Sequence, residues 1–447
     1  MSQGTSQKAV PGSVRVNVSS NGGGNSADIS GGIVEFKYFE SILSDTVSAS
    51  VTFVDTGGVV KDETVLDGLP ITGTEKVAFF IEDNNGKSIG QNLFLFVNSV
   101  TPVSEDGRAQ IINLDLRSKE YFINNKVRLS KKFTGKISDN ITTLLTSEEF
   151  LGSDKNVDIE DTVNNYNFIG NLKKPLYTIN WLSKKGVPIE AGEDVALEKT
   201  AGFFFWETYD GYKFKSIDSL LDKNKNPKKR SIVFTETPDE FGKDMPRQYT
   251  TKALTFSKNN LSNMKQKYNV GAYSTKTVLF NPFTCYYEVK SYTAEEFDSS
   301  YVHSGQNQPI QNPEFRRAGE SKDFSRTTYF IEDTGTLPQG DTEEQLKQSK
   351  EQNFEYTKIL NQSIMRYNQL FTSQVSVTIS GDFELRAGDM VYVDSPGHSE
   401  KSDDPVNKQS GGLYIISELC HYLSPEGTYT KLNLIRDSFG RKGSPSA

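Results

Sequence analysis

The sequence predicts a mainly β protein with α/β insertions, built around two antiparallel β-barrels. Three observations support this fold class. Apolar and polar residues alternate with period two near both ends of the chain, as in strands with one buried face. Dipeptides of Gly, Asn and Asp that favour turns separate these segments. In the middle of the chain, apolar residues instead recur at intervals of three and four, which is typical of helices.

The first β-rich region is predicted to be an all-β domain. Asn85-Gly86 is predicted to turn the chain between its fourth and fifth strands, and Asp106-Gly107 between its fifth and sixth. The six predicted strands cover residues 14–18, 34–38, 47–53, 77–81, 93–97 and 112–116.

Residues 119–200 are predicted to form an α/β insertion. Ser138 to Asn140 carry N-capping side chains before a helix at 141–145, and Pro175 begins a second helix that stops near Gly186. A hairpin at 202–217 turns at Asp210-Gly211 and is expected to return to the first barrel. Its apolar run at 203–206 has no polar face, so we expect it to lie between two layers.

Strands at 252–256, 267–273 and 285–292, together with residues 373–440, are predicted to form the second barrel. Residues 297–340 are polar and indicate an extended arm. Asp341 is expected to cap a helix of about thirty residues with one apolar stripe. That stripe predicts packing against the same chain or another subunit, and it consists of Thr357, Leu360, Ile364, Tyr367 and Phe371.

Longer patterns occur near the C-terminus. Residues 381–393 read G-x-F-E-L-x-A-G-D-x-V-x-V, residues 414–423 read Y-I-I-S-E-L-x-H-x-L, and residues 430–440 read T-x-L-x-L-I-R-D-S-F-G. Together with 175–183 and 202–217, they resemble the central baseplate hub proteins of contractile-tailed bacteriophages. The resemblance extends over most of the chain.

The resemblance implies a structural protein with two tube-like barrel domains, related by internal duplication, in each chain. It implies a homotrimer whose pseudo-sixfold ring joins the hexameric tail tube to the trimeric spike and leaves a channel. Implied partners are the tail-tube or tube-initiator protein, the spike on the C-terminal side and other baseplate proteins. Genome DNA would pass through without specific binding. The implied location is the tail baseplate of the virion, after synthesis in the host cytoplasm. A hub of a bacterial contractile injection system is the alternative of the same architecture.

The expected domains follow from these patterns and from the resemblance. They are a first tube-like barrel at 10–118 plus 201–235, an α/β insertion at 119–200, a second tube-like barrel at 245–295 plus 373–440, an arm and long helix at 296–372, and a C-terminal tail at 441–447.

Composition and charge exclude several classes of protein. Of the 447 residues, 35% are hydrophobic, enough to fill several cores. Residues 1–13 lack a secretory signal pattern, and the run at 202–206 is far shorter than the ~20 residues of a membrane helix. The net charge of −8 disfavours a nucleic-acid binder. The acidic surplus lies in the two β-rich ends, where it serves solubility or, if these ends line a channel, repels DNA phosphates.

Residue patterns typical of enzymes and metal sites are incomplete. Cys285 and Cys420 have no zinc or redox spacing and are predicted to be reduced core residues. The three histidines, His303, His398 and His421, have no metal-site spacing. We therefore predict no catalytic residue, no cofactor site and no metal site.

An aspartic-type peptidase is the low-probability alternative. It would use Asp55 and Asp333, each followed by Thr-Gly, because two carboxylates sharing a proton supply acid and base. Glu332, however, stands where that family has an apolar residue, and Asp-Thr-Gly is also ordinary turn chemistry.

Overall fold

The structure is a computed structural model. It describes residues 12–189 except 59, 61–62, 92 and 107–108, residues 200–233, and residues 250–294 except 262 and 283–284. It further describes residues 301–306, 312–315, 324–331, 341, 343–344, 356–394, and 407–442 except 408.

The described residues are mainly β, as the sequence predicts. The strands are β1 Ser13–Ser19, β2 Ser26–Asp28, β3 Ile33–Ser41, β4 Ser48–Asp55, β5 Lys76–Glu82, β6 Ser88–Ile89, β7 Phe94–Asp106, β8 Ala109–Arg117, β9 Lys132–Phe133, β10 Val157–Ile159, β11 Phe168–Ile169, β12 Phe203–Thr208, β13 Gly211–Ser216, β14 Arg230–Val233, β15 Thr250–Leu261, β16 Ser274–Asn281, β17 Tyr286–Thr293, β18 Arg326–Ile331, β19 Ser373–Ser380, β20 Met390–Asp394, β21 Gly412–Ser424 and β22 Gly427–Arg436. The helices are α1 Val65–Gly68, α2 Lys119–Lys126, α3 Ile137–Thr146, α4 Pro175–Ser183, α5 Ile217–Leu221, α6 Met264–Val270 and α7 Tyr356–Leu370.

The N-terminal strands form an open sheet wrapped around its own core. Their order is β2-β1-β5-β7-β8-β4-β3, and their inward side chains belong to one buried cluster. The predicted first barrel, at 10–118 plus 201–235, is wrong for the described strands, which do not close into a ring. The reason is that β3 pairs with β4 on one side and with β21 on the other, so it has no edge left to close the sheet.

The C-terminal strands do form a closed barrel. Six strands complete it in the order β21-β20-β14-β15-β19-β22, because β22 pairs back with β21. Strand β14 is parallel to both neighbours, while the other pairs are antiparallel. The interior contains alternating side chains such as Val375, Val377, Leu432 and Leu434.

Two predicted segments do not join the barrels to which the sequence assigned them. The hairpin β12–β13 pairs with β10 in a three-stranded sheet of the insertion rather than with the first sheet. Strands β16 and β17 form a separate sheet with β18 rather than part of the second barrel. Residues 264–270 are helical where a strand was predicted, because Asn263 caps the start and Gly271, at φ 76°, ends the helix.

Helix α7 packs on its own chain. Leu360 contacts the insertion core, while Tyr367 and Phe371 pack against the cluster beside the second barrel. The predicted cap is present, since the Glu344 N–H donates to Asp341 Oδ1 at 2.9 Å. Residues 345–355 lie outside the described residues, so a helix of about thirty residues stays a prediction.

Two four-stranded units repeat the same pairing order. The first unit is β7-β8-β4-β3 and the second is β21-β22-β19-β15. Each begins with a hairpin whose first strand has 13 residues. In both hairpins the register shifts near the start of the first strand. The shift lies between Val97 and Ser99 in β7 and between Ile416 and Glu418 in β21. This repetition supports an internal duplication. Since β3 pairs with β21, the two units form one continuous eight-stranded sheet.

The insertion hairpin lies between two cores, as its apolar run predicts. Phe203 and Phe205 pack into the insertion, whereas Phe204 and Trp206 pack toward the second barrel. The Trp206 indole N–H donates to the Ala387 carbonyl at 3.0 Å. Trp206 also covers Gly388, where a Cβ would lie 2.6 Å from Trp206 Cζ2.

We expect Gly388→Ala to lower the free energy of unfolding by about 2–4 kcal/mol, since it adds left-handed backbone strain and a clash. Gly388 has φ +91°, a conformation that favours glycine. Urea unfolding followed by tryptophan fluorescence measures the effect. Gly31→Ala is the control, because its Cβ would meet open space. Equal stability of the two variants would contradict this account of the Trp206 contact.

Candidate functional site

The candidate functional surface is the solvent face of the eight-stranded sheet, which we call the polar face. Residues that face each other across successive strands form rows on it. One row crosses all eight strands and consists of Phe96, Arg117, Ser48, Phe39, Cys420, Lys431, Thr378 and Thr255. A parallel row consists of Ser41, Glu418, Asn433, Ser376 and Ser257. A groove of about 580 Å³ runs over both rows.

Charges on the polar face are balanced and paired. Lys37 lies 2.7 Å from Glu35, and Arg117 lies 3.2 Å from Asp115. Glu418 accepts a hydrogen bond from the Asn433 amide at 2.8 Å. The Lys431 ammonium lies over the Tyr422 ring. Two of these three carboxylates, Glu35 and Asp115, therefore pair with cations, and most uncharged positions of the two rows are Ser, Thr or Asn. The acidic surplus of the two ends is not concentrated here.

Beneath the polar face, Glu40 joins three parts of the chain. Its Oε1 accepts from the Tyr209 N–H at 2.7 Å, and its Oε2 accepts from the Ala387 N–H at 3.0 Å. Tyr38 donates its hydroxyl to the same carboxylate at 3.2 Å. Strand β3, the β12–β13 turn and the second barrel therefore meet at one buried carboxyl group. Burial raises the pKa of Glu40 to about 7, although the nearby Arg386 opposes this shift.

A second buried cluster lies between the first sheet and the insertion. Lys155 bridges two carboxylates, at 2.6 Å from Glu120 and 2.5 Å from Glu207. Glu207 also accepts from the Val47 N–H at 3.0 Å and from the Ser118 hydroxyl at 2.8 Å. Burial raises the pKa of Glu207. Each polar atom has a local partner, so this cluster serves to position the insertion against β4.

The C-terminal exit, residues 436–442, is fixed by buried charges. Asp437 lies 2.7 Å from His303 Nδ1 and accepts from the Ser304 N–H at 3.1 Å. Arg366 on α7 lies 3.5 Å from Asp437 and 2.7 Å from Asp218 on α5. Although burial opposes it, the hydrogen bond with His303 holds the pKa of Asp437 well below its usual range.

Further hydrogen bonds to backbone groups hold the rest of the C-terminal exit in place. The Gln306 N–H donates to the Phe439 carbonyl at 2.8 Å, and the Gly440 N–H donates to the Gln409 carbonyl at 3.3 Å. Arg436 donates to the Gly411 carbonyl at 3.0 Å. The L-I-R-D-S-F-G pattern is therefore explained by structure, since its charged residues fix the direction in which the chain leaves the barrel.

Of the two peptidase residues, the structure describes Asp55, whose carboxylate is held by local backbone donors. Asp55 Oδ1 accepts from the Gly57 N–H at 3.0 Å, and its Oδ2 accepts from the Val65 N–H at 2.6 Å. Asp55 thus closes the loop that leads into α1. Asp333 lies outside the described residues.

The cysteines and histidines are separate from one another. Cys285 is exposed, which corrects its prediction as a core residue, and Cys420 is half-buried on the polar face. Burial raises the pKa of Cys420 to about 11. His421 points to the opposite side of β21, between Tyr38 and Phe383. His398 lies outside the described residues. Among the residues described, no group of three or more His, Cys, Asp or Glu could hold a metal ion.

The sequence analysis did not find Glu40 or Arg366. Glu40 had a detectable signal, since it falls on the inward positions of β3 after Phe36 and Tyr38. Arg366 lies outside the apolar stripe of α7, and its partners Asp218 and Asp437 are distant in sequence. In the described part of the chain, no helix is both long enough and apolar enough to cross a membrane.

Comparisons with known proteins agree with the resemblance found in the sequence. No family model matches the chain. It is 22% identical over 423 residues to the probable baseplate hub protein gp334 of Vibrio phage KVP40, which covers 92% of this chain and 91% of that protein. The resemblance to phage baseplate hub proteins is thereby confirmed over nearly the whole chain. The name of this relative is consistent with a structural role in a tail baseplate.

Solved structures of tail proteins are also similar. The 43 kDa tail protein of prophage MuSo2 from Shewanella oneidensis has a TM-score of 0.49 at 10% identity, with 96% of this chain and 99% of that chain covered. A tail protein from Neisseria meningitidis MC58 has a TM-score of 0.46 at 11% identity, with 95% and 97% covered.

The raised pKa of Glu40 predicts a pH-dependent stability. Between pH 4.5 and about 7 the folded state keeps Glu40 protonated while the unfolded state ionises, so the contribution of Glu40 to stability falls as pH rises through this window. Between pH 5 and pH 8, the free energy of unfolding of the wild type should fall by roughly 2–3 kcal/mol more than that of Glu40→Gln. Urea unfolding across this range measures it, with the exposed Glu148→Gln as control. Parallel pH profiles for wild type and Glu40→Gln would exclude this role.

Proposed function

We propose that this chain is the structural hub of a phage tail baseplate, acting as a homotrimer that joins the tail tube to the spike around an open channel. The observation that carries the proposal is the eight-stranded sheet made of two repeated units with an open edge at each end. Three chains would supply six such units. A threefold assembly could then meet a sixfold tube on one side and a threefold spike on the other.

The two open edges support ring closure. Within β7 only Phe94–Phe96 pair with β5, and within β15 only Thr250–Lys252 pair with β14. The rest of each strand has an unpaired edge, which is prone to bind another strand. Both edges carry exposed apolar side chains, Val103 at 60% and Leu254 at 40% exposure. We propose that β15 of one copy pairs with β7 of the next.

The pairing inside the chain supplies the geometry for this contact. In the repeat, β15 corresponds to β3 and β7 corresponds to β21. Strands β3 and β21 are antiparallel, with Leu423 opposite Phe36 and Glu418 opposite Ser41. The contact between copies would therefore be antiparallel as well. Eight strands from each of three copies would close a wall of 24 strands without a free edge.

The chemistry of the polar face suits a channel wall. Affinity for nucleic acid comes mainly from Lys and Arg that neutralise phosphates. On this face Lys37 and Arg117 already pair with carboxylates, and Lys431 lies over an aromatic ring. Short hydroxyl side chains occupy most of the remaining positions. DNA would therefore pass through without specific binding.

An exposed apolar face supports contact with other baseplate proteins. On the sheet β17-β16-β18, two adjacent rows are apolar across all three strands: Val289, Val278 and Tyr329, then Tyr287, Phe280 and Ile331. Tyr329 is 77% exposed and Ile331 is 72% exposed. The other side of this sheet packs on α7 through Thr275 and Thr277, which both donate to Asn361. Patches of this kind mark protein interaction sites.

The C-terminal exit supports attachment of the spike at one end of the ring. Because Asp437 and Arg436 fix the direction of the chain, residues 441–442, the start of the predicted C-terminal tail, leave the barrel at a defined place. We propose that this tail leads to the spike, and that the assembled hub is located in the tail baseplate of the virion.

Charge repulsion at the two edges tests the ring. The double variant Val103→Lys, Leu254→Lys would place like charges on both sides of each proposed contact, so we expect a folded monomer where the wild type is a trimer. Sedimentation velocity measures the mass, and circular dichroism confirms that the variant is folded. Leu172→Lys is the matched control, since Leu172 is 65% exposed on the insertion, away from both edges. A double variant that sediments like the control would rule out the β7 to β15 contact.

A further inference from the structure

A groove of about 600 Å³ separates the insertion hairpin from the A-G-D turn of the second barrel. Lys213, Lys215, Lys225 and Lys229 line it, and we call it the lysine groove. These lysines come from β13, from the loop after α5 and from the residue before β14. The groove shares no lining residue with the polar face or with the C-terminal exit.

Three of the four lysines are available to a partner. Lys215 pairs with Asp158 at 2.6 Å. Within the residues that the structure describes, Lys213, Lys225 and Lys229 form no ion pair. The chain as a whole carries a net charge of −8, so unpaired lysines gathered in one groove are not explained by a general basic surface.

The carboxylates of the groove are already occupied by nearby donors. Glu160 accepts from the N–H and hydroxyl of Ser216 and from the hydroxyl of Ser219, at 2.8 to 2.9 Å. Asp389 accepts from the Arg386 N–H at 2.9 Å. Burial raises the pKa of Asp389, while Lys229 and Lys213 both oppose this shift.

The groove also has an apolar floor. Ile189, at 41% exposure, and the exposed Pro227 supply its apolar surface, while Trp206 and Leu220 lie beneath and are almost fully buried. Ala387 completes the apolar lining. A ligand that fits this groove therefore needs both negative charge and apolar groups.

We propose that the lysine groove binds an acidic segment of a second protein in which Asp or Glu side chains alternate with apolar ones. The carboxylates would pair with Lys213, Lys225 and Lys229, and the apolar side chains would lie on Ile189 and Pro227. A nucleic acid is the other outcome that the test has to separate, because its phosphates could pair with the same lysines.

Binding of a labelled peptide to the full chain tests this proposal. The probe is a short fluorescein-labelled peptide of Glu-Glu-Leu repeats, followed by fluorescence anisotropy at two salt concentrations. We expect saturable, salt-sensitive binding that weakens about tenfold in the variant Lys213→Gln, Lys225→Gln, Lys229→Gln, since three ion pairs are lost. Peptides with Gln for Glu or with Ser for Leu should both bind more weakly.

A matched control separates the groove from general charge. The variant Lys126→Gln, Lys132→Gln, Lys265→Gln removes the same charge from exposed positions elsewhere and should bind the peptide like the wild type. Equal weakening in both variants, absence of peptide binding to the wild type, or tighter binding of a single-stranded DNA oligonucleotide would each overturn the proposal. The groove variant should sediment like the wild type. Loss of peptide binding therefore tests the groove, whereas a change in sedimentation tests the proposed ring.

Discussion

The antiparallel pairing of β3 with β21 is the constraint on which the rest of the structure depends. It joins Phe36–Ser41 to Glu418–Leu423 by backbone hydrogen bonds. Because this pairing occupies the second edge of β3, the first sheet does not close on itself. The two repeated units instead form one continuous sheet. The pairing also aligns the outward rows of both units, which creates a polar face that neither unit has alone. The proposed ring repeats this same type of contact between copies.

Buried charges hold the attached parts in register with that sheet. Glu40 lies directly below the junction and binds backbone groups of the insertion hairpin and of the second barrel. Lys155 holds the insertion near β4, and Arg366 links α5, α7 and the C-terminal exit. Such groups add little net stability, because removing charges from water is costly. They do fix geometry, since each charge must find its partners.

Local sequence signals identified most strands but not their partners. Period-two alternation found β3, β4, β19 and β22, and the apolar run at Phe203–Trp206 correctly indicated a position between two layers. The closure of the first barrel was wrong because strand pairing is decided by long-range contacts, here between residues 36–41 and 418–423. Helix α6 was missed although Asn263 and Gly271 carried the signals of its two ends. Arg366 had no local signal, because its partners come from three distant segments.

The most direct test of the account is the native mass of the full chain combined with electron-microscopy class averages viewed down the particle axis. The account predicts a particle of three chains of 49.9 kDa, with six similar lobes around an open centre. A stable monomer at micromolar concentration, or a ring whose number of chains is not three, would contradict it.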